Sequence, residues 1–331
     1  MTAPERTRLG RDLEISRIVT GLWQVADREP DPALVEELAR YARAGFDTFD
    51  LADHYGPAEE LVGALREHAI CLTKWCPLPG AEHEARAAVE RARARMRCDA
   101  IDLLQLHCWS FRDPRWAVAM AGLAELQREG RIRNLGVTNF DTEHLRTLLE
   151  HGYPIASNQV CFSLLDRRAA DQMTTLCLEH GVRLLAYGTL AGGFLTDRWL
   201  GRPEPTELPD PSARKYKRFI DAAGGWPVLE TILAALAQIA RKHGVTIANV
   251  ATRWVLEQEA VAAIIVGARL GAREHRAANL RVFELALDRE DHARIAEAVA
   301  TATRLPGDCG DEYRRRPYLT ASGRSVAEAY G

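Results

Sequence analysis

Asp50, Lys74 and His107 each stand at the end of a short apolar run, in FDTFD, LTKW and LLQLH, and Tyr55 follows Asp50 within GFDTFDLADHYG. An unpaired charge at the edge of a core is costly to bury, but a matched set is not. Asp50 is expected to hold Lys74 as an ammonium, and that cation to lower the Tyr55 phenol from its ordinary value of about 10. Tyr55 would then donate a proton to a carbonyl oxygen, with His107 orienting the carbonyl or sharing the proton. A tyrosine supplies no electrons, so this chemistry calls for a hydride donor, a nicotinamide cofactor or its equivalent. A single Lys or His at such a place is more often structural, and Asp53 and His54 are read that way. It is the joint placement of four groups that points to a site.

Positioning them requires strands that end together. The sequence offers eight short apolar segments (GLW, FDTFD, AICLTKW, IDLLQLH, IRNLGVTNF, ASNQV, VRLLAYG and AAIIVGAR) separated by amphipathic stretches such as residues 32–44, where Leu34, Leu38 and Tyr41 recur at helical spacing. Strict β/α alternation implies a parallel sheet, and eight units over some 250 residues or more suit a closed (β/α)8 TIM barrel, whose catalytic groups lie at the C-terminal ends of the strands. A doubly wound sheet binding a dinucleotide usually carries G-x-G-x-x-G after its first strand, and that motif is missing. TRLGRDLEI predicts an N-terminal hairpin. One domain is expected over residues 1–331, with the barrel at about 18–285 and a C-terminal helix and tail at about 286–331. Residues 188–225 form a long Gly- and Pro-bearing insertion after the seventh strand, a candidate lid.

Composition narrows the function classes. The chain has 331 residues, is 47% hydrophobic, and balances 43 Lys and Arg against 46 Asp and Glu for a net charge of -3. That balance offers no general attraction to nucleic acid or acidic membranes. Seven dispersed cysteines without a C-x-x-C pair suggest free thiols in a reducing compartment. The charged N-terminus is unlike a signal peptide and no segment approaches the roughly 18 apolar residues of a membrane span, so a cytoplasmic location is expected. Nothing in the sequence indicates an oligomeric state.

FDTFDLADHYG, LTKW, DLLQLH, GVTNF, SNQV and IIVGAR, in this order, resemble the aldo-keto reductase superfamily over about residues 8–300. The resemblance implies a (β/α)8 barrel using NADPH or NADH, with Asp50, Tyr55, Lys74 and His107 as the catalytic tetrad and Tyr55 as general acid in reduction and base in oxidation. It further implies that Thr138, Asn139 and Gln159 hold the nicotinamide carboxamide and that Tyr187 stacks on the ring. At the adenosine end it assigns Gly267, Arg269, Arg273 and Asn279, with the arginines favouring NADPH over NADH. His275 and Ala278 depart from the common pattern there. Trp23, Trp75 and Trp109 suggest an aromatic-walled pocket for an apolar or ring-bearing carbonyl compound or the corresponding small-molecule alcohol, with outward packing between helices the alternative for Trp75.

Two other classes fit the sequence less well. A nicotinamide-binding sensor or regulatory subunit would have no need of the Asp50–Lys74 pair. A metal-dependent barrel hydrolase needs clustered ligands such as H-x-H on a strand end, which the sequence lacks. The tail motif DEYRRRP is expected to be solvated, with folding over the barrel mouth or contact with a neighbouring subunit as the alternatives.

Overall fold

The computed structural model describes residues 3–325 apart from 79, 82, 113, 272 and 273. Its strands are β1 (Arg6–Leu9), β2 (Leu13–Ser16), β3 (Ile18–Gly21), β4 (Thr48–Asp50), β5 (Ile70–Trp75), β6 (Ile101–His107), β7 (Ile132–Thr138), β8 (Ile155–Cys161), β9 (Arg183–Tyr187) and β10 (Val261–Gly267). The helices are α1 (Pro32–Arg43), α2 (Ala58–Gly63), α3 (Ala85–Met96), α4 (Trp116–Arg128), α5 (Thr142–Glu150), α6 (Gln172–His180), α7 (Pro211–Ala222), α8 (Trp226–His243), α9 (Ile247–Leu256), α10 (Arg276–Leu280), α11 (Arg289–Ala300) and α12 (Asp311–Arg314).

Strands β3 to β10 close into a parallel barrel in the order β10-β3-β4-β5-β6-β7-β8-β9. The first barrel strand is IVTG rather than GLW. The expected segment starts where the strand stops, and Trp23 opens a short 3-10 turn at the mouth. Side chains alternate across each strand. Val19, Leu72, Leu103, Leu185 and Ala263 therefore face the interior, while Ile18, Phe49, Cys71, Leu104 and Leu106 pack against the surrounding helices. At the N-terminal end, the β1–β2 hairpin plugs the barrel with Leu9, Leu13 and Ile15. Its turn is tight. Gly10 has φ +65°, and a Cβ there would lie 2.3 Å from Asn134 Oδ1.

Helix α1 shows how local chemistry sets these elements. Asp31 accepts a 2.8 Å hydrogen bond from the Ala33 amide, Pro32 occupies the first turn, and Leu34, Leu38 and Tyr41 are buried at the expected spacing.

Two segments depart from the repeat. The insertion after β9 is ordered into short turns and α7, whose Tyr216, Phe219 and Ile220 enter a second apolar cluster with Trp226, Leu229 and Leu233 of α8. Gly188 makes the exit from β9 possible, with φ +69° and Tyr216 Oη only 2.1 Å from where its Cβ would be. After α11 the tail returns across the barrel mouth, burying Leu305, Cys309, Asp311, Glu312 and Leu319. The expectation of a solvated DEYRRRP fails for Asp311 and Glu312, which are buried, Glu312 against Lys215 and Arg168, cations that sequence distance conceals, while Arg315, Arg316 and Pro317 are exposed.

Candidate active site

Register brings the strand tips together. His107 pairs with Thr138 and Thr138 with Gln159, while Lys74 lies beside Gln105. In β5, Leu72 faces the barrel interior, so Lys74, two residues on, does too. Lys74 is 1% exposed, and its Nζ donates to Asp50 Oδ1 at 2.7 Å and to the Leu51 carbonyl at 2.8 Å. Burial pulls its pKa down from 10.5, opposed by the Asp50 charge. The same Asp50 oxygen accepts from Gln159 Nε2 at 2.7 Å, which ties Gln159 to the acid and lysine from across the barrel.

Tyr55 lies over this pair, with Lys74 Nζ 4.6 Å from its ring centroid. Its pKa is nevertheless raised well above 10. Burial is the main cause, followed by the Asp50 carboxylate. The expected depression is thus reversed, and the resting site holds Tyr55 as a phenol. His107 is 6% exposed, and neither ring nitrogen has a hydrogen-bond partner among the described residues. Burial first, then the neighbouring His54 and Lys74, keep its pKa well below 6.5, so the imidazole is neutral. The four ionisable residues chosen from sequence therefore meet in one place, as a proton donor, a buried ion pair and an unsatisfied neutral imidazole.

The neighbouring polar groups divide into two sets. Among the described residues, Thr138 Oγ1, Gln105 Nε2 and Ser157 Oγ are buried without a partner, as are the His107 nitrogens. Such atoms are expensive in a folded protein unless a ligand or ordered water meets them. Asn139 is already engaged. It sits at φ +56°, a conformation that Asn tolerates better than most residues. Its Oδ1 lies 2.8 Å from the Tyr187 hydroxyl, which is also 3.1 Å from Glu312 Oε1, and its carbonyl accepts from Arg314 Nη1 at 2.7 Å.

Of the three tryptophans assigned to the pocket, Trp109 stands at the site, its ring centroid 4.1 Å from that of His107. Trp23 is 47% exposed on the loop after β3. Trp75 is a correction. One residue past Lys74, it points away from the interior and is 5% exposed among the side chains beneath the helices.

Gly267, Arg269 and Asn279 line a separate groove with Tyr41, His275 and Ala268. Arg269 is more than half exposed and pairs with Asp210, the N-cap of α7. Arg273 lies outside the described residues. Sequence reasoning missed Lys215, Glu312, Tyr313 and Arg314, which the insertion and the tail carry into the mouth. The only available signal was the density of charge around aromatics in ARKYKRF and DEYRRRP.

A closed (β/α)8 barrel bearing this group at its strand tips has the architecture of a barrel enzyme. The chain belongs to the aldo/keto reductase family, whose profile matches residues 17–300. Members of that family use nicotinamide cofactors and act on small-molecule carbonyl compounds. Among similar proteins, flagellar radial spoke protein 5 of Chlamydomonas reinhardtii is 31% identical over 54% of this chain and 40% of its own length. A chloroplastic pyridoxal reductase of Arabidopsis thaliana is 28% identical over 64% of this chain and 62% of its own. The chain thus spans less than two thirds of both. An NADH-specific methylglyoxal reductase of Escherichia coli is 25% identical over 78% and 87%. The crystal structure of a thermostable aldo-keto reductase in complex with the inhibitor epalrestat superposes with a TM-score of 0.68 at 26% identity, covering 89% of this chain and 99% of the other.

Proposed function

We propose that the protein reduces a small aldehyde or ketone to the alcohol, or runs the reverse, with Tyr55 as general acid and base and NADPH preferred over NADH. The observation that carries this reading is the buried Asp50–Lys74 pair beneath a Tyr55 held as phenol, next to a neutral His107 with two free ring nitrogens. A phenol whose proton is firmly held is a donor rather than a base at neutral pH. A neutral imidazole adds a hydrogen bond to a carbonyl oxygen without competing as an acid. Lys74 supplies positive charge near the phenolate left after proton transfer, where water is excluded.

The nicotinamide cofactor, when bound, supplies the hydride. The unpartnered Thr138 Oγ1 beside Gln159 fits a carboxamide, Asn139 would join it through its Nδ2 because its Oδ1 takes the Tyr187 hydroxyl, and Tyr187 presents a strand-end aromatic. Gly267, Arg269 and Asn279 would hold the adenosine end, with Arg273 a further cation toward a 2′-phosphate. Trp109, packed against His107, and Trp23, exposed on the loop after β3, would line the substrate pocket.

The test is fluorescence titration of the purified protein with NADPH and NADH, followed by turnover of a reactive aldehyde in wild type and Tyr55→Phe. The expected result is tighter NADPH binding and a loss of turnover of about 10²- to 10⁴-fold in the variant at nearly unchanged cofactor affinity. Binding without turnover over a broad carbonyl panel would move the chain to a cofactor-binding regulatory role, and equal turnover in Tyr55→Phe would remove the tyrosine from the chemistry.

A further inference from the structure

A second tyrosine with its own lysine and carboxylate stands at the same mouth. Tyr313, on the tail helix α12, accepts a 2.6 Å hydrogen bond from Lys215 Nζ of α7, and that ammonium lies 3.5 Å from Glu312 Oε1. The Tyr313 ring meets Trp109 edge-on at 5.2 Å between centroids, and Trp109 in turn contacts His107 at 4.1 Å. A single aromatic side chain therefore separates Tyr313 from the carbonyl-orienting group.

The hydrogen-bond count decides what Tyr313 offers. Its oxygen accepts from Lys215, and its own O–H donates to no acceptor among the described residues. The hydroxyl is also held in place, since Lys215 is anchored by Glu312, whose other oxygen takes Arg168 at 2.8 Å, and Arg168 is bound to Asp166 at 2.6 Å. These two cations and two carboxylates cancel. The wall thus presents a fixed O–H donor on a cluster with no net charge, which favours a neutral oxygen acceptor and gives an anion no special advantage.

We propose that Tyr313 is a specificity-determining residue whose hydroxyl donates to a hydroxyl oxygen of the substrate, so that the preferred substrates are neutral hydroxy-aldehydes or hydroxy-ketones rather than plain aldehydes of the same length. The inference rests on the carbonyl-reductase reading. It differs from that reading in placing a selective contact on the tail, beyond residue 300. A site built to hydrogen-bond a hydroxyl discriminates against the analogue that lacks it, because the wall group is left unpaired.

The experiment compares kcat/KM for erythrose, butanal and succinic semialdehyde in the full chain. Wild type should favour erythrose over both other aldehydes. Tyr313→Phe, which keeps the ring against Trp109, should lower the erythrose-to-butanal ratio about tenfold, and Lys215→Arg, which keeps charge and donors, should retain most of it. A ratio unchanged in Tyr313→Phe, a ratio lost in Lys215→Arg but kept in Tyr313→Phe, or a wild-type preference for succinic semialdehyde would each overturn the proposal. The two failures are distinguishable. Tyr55→Phe turning over all three aldehydes as well as wild type sinks the reductase reading, whereas an unmoved ratio with Tyr55 still essential sinks only the role of Tyr313.

Discussion

Two carboxylate–lysine–tyrosine groups face each other across the barrel mouth, and they are built in different ways. Asp50, Tyr55 and Lys74 come from adjacent strands and one short loop, and Lys74 has a single carboxylate, 2.7 Å away. Glu312, Lys215 and Tyr313 come from the tail and the insertion, and Glu312 is shared between Lys215 and Arg168 while also facing the Tyr187 hydroxyl. The first group is rigid because the sheet fixes its backbone. The second is rigid only as long as its polar network is complete. A reaction centre common to many substrates suits the sheet, and a selective wall suits segments that vary without disturbing the barrel.

The sharpest way to break the comparison is Lys74→Met. It leaves Asp50 buried with Gln159 Nε2 as its one remaining side-chain donor among the described residues. The expected result is a loss of turnover of about 10²- to 10⁴-fold on every aldehyde, with a destabilisation of about 3–5 kcal/mol in urea unfolding. Near-wild-type rates would mean that the buried pair serves folding alone.

The pH profile sharpens the same contrast. Tyr55 is held above 10 and His107 well below 6.5, so the forms needed for reduction persist through neutrality. Reduction should be flat from roughly pH 6 to 9, while oxidation, which needs the phenolate, rises roughly tenfold per unit over the same range. A falling limb in reduction near neutral pH would show that Lys74 wins over burial once the cofactor is bound.

Glu312→Gln weakens the second group without emptying it, since Arg168 keeps Asp166 and Lys215 keeps Tyr313. A cost of about 1–3 kcal/mol is expected, together with a weaker nicotinamide complex, because the acid also faces the hydroxyl of Tyr187. The two cations hold the Glu312 carboxyl down to about 2, against an ordinary 4.5. A depressed acid contributes stability above its ordinary value and loses it as pH falls toward the folded one. Acid unfolding between about 4.5 and 2 should therefore be shallower in the variant than in wild type, and parallel curves would remove Glu312 from the network.

The difference in construction also explains what the sequence disclosed. Asp50, Lys74 and His107 could be found because a strand's period of two and its C-terminal end are local properties. The barrel followed from repetition of the same local pattern, and only the start of its first strand slipped, from IVTG to GLW. Trp75 was misplaced by the same parity that placed Lys74, since neighbours on a strand face opposite ways. The sign of the Tyr55 shift was misjudged because a charge can be counted in a sequence and desolvation cannot. The tail was misread because its partners are remote. Tyr313 meets Lys215 98 residues away and Arg314 meets Asn139 175 residues away. No periodicity reports contacts of that separation.

Arg269→Ala has the smallest expected effect and tests how the two regions are joined. Arg269 pairs with Asp210, whose Oδ1 accepts from the Ser212 amide at 2.8 Å and so caps the helix that carries Lys215. The arginine is more than half exposed, so as an ion pair it is worth little, and unfolding should move by no more than about 0.5 kcal/mol. Its effect should appear instead in the cofactor titration, where removing a cation from the groove of Gly267 and Asn279 weakens NADPH about five- to tenfold and NADH by much less. Equal weakening of both would place Arg269 on a phosphate the two cofactors share. A change in the erythrose-to-butanal ratio, with NADPH and NADH affected alike, would show that the Asp210 pair acts through α7 on the tail-borne wall, and the two regions would then be one device rather than two.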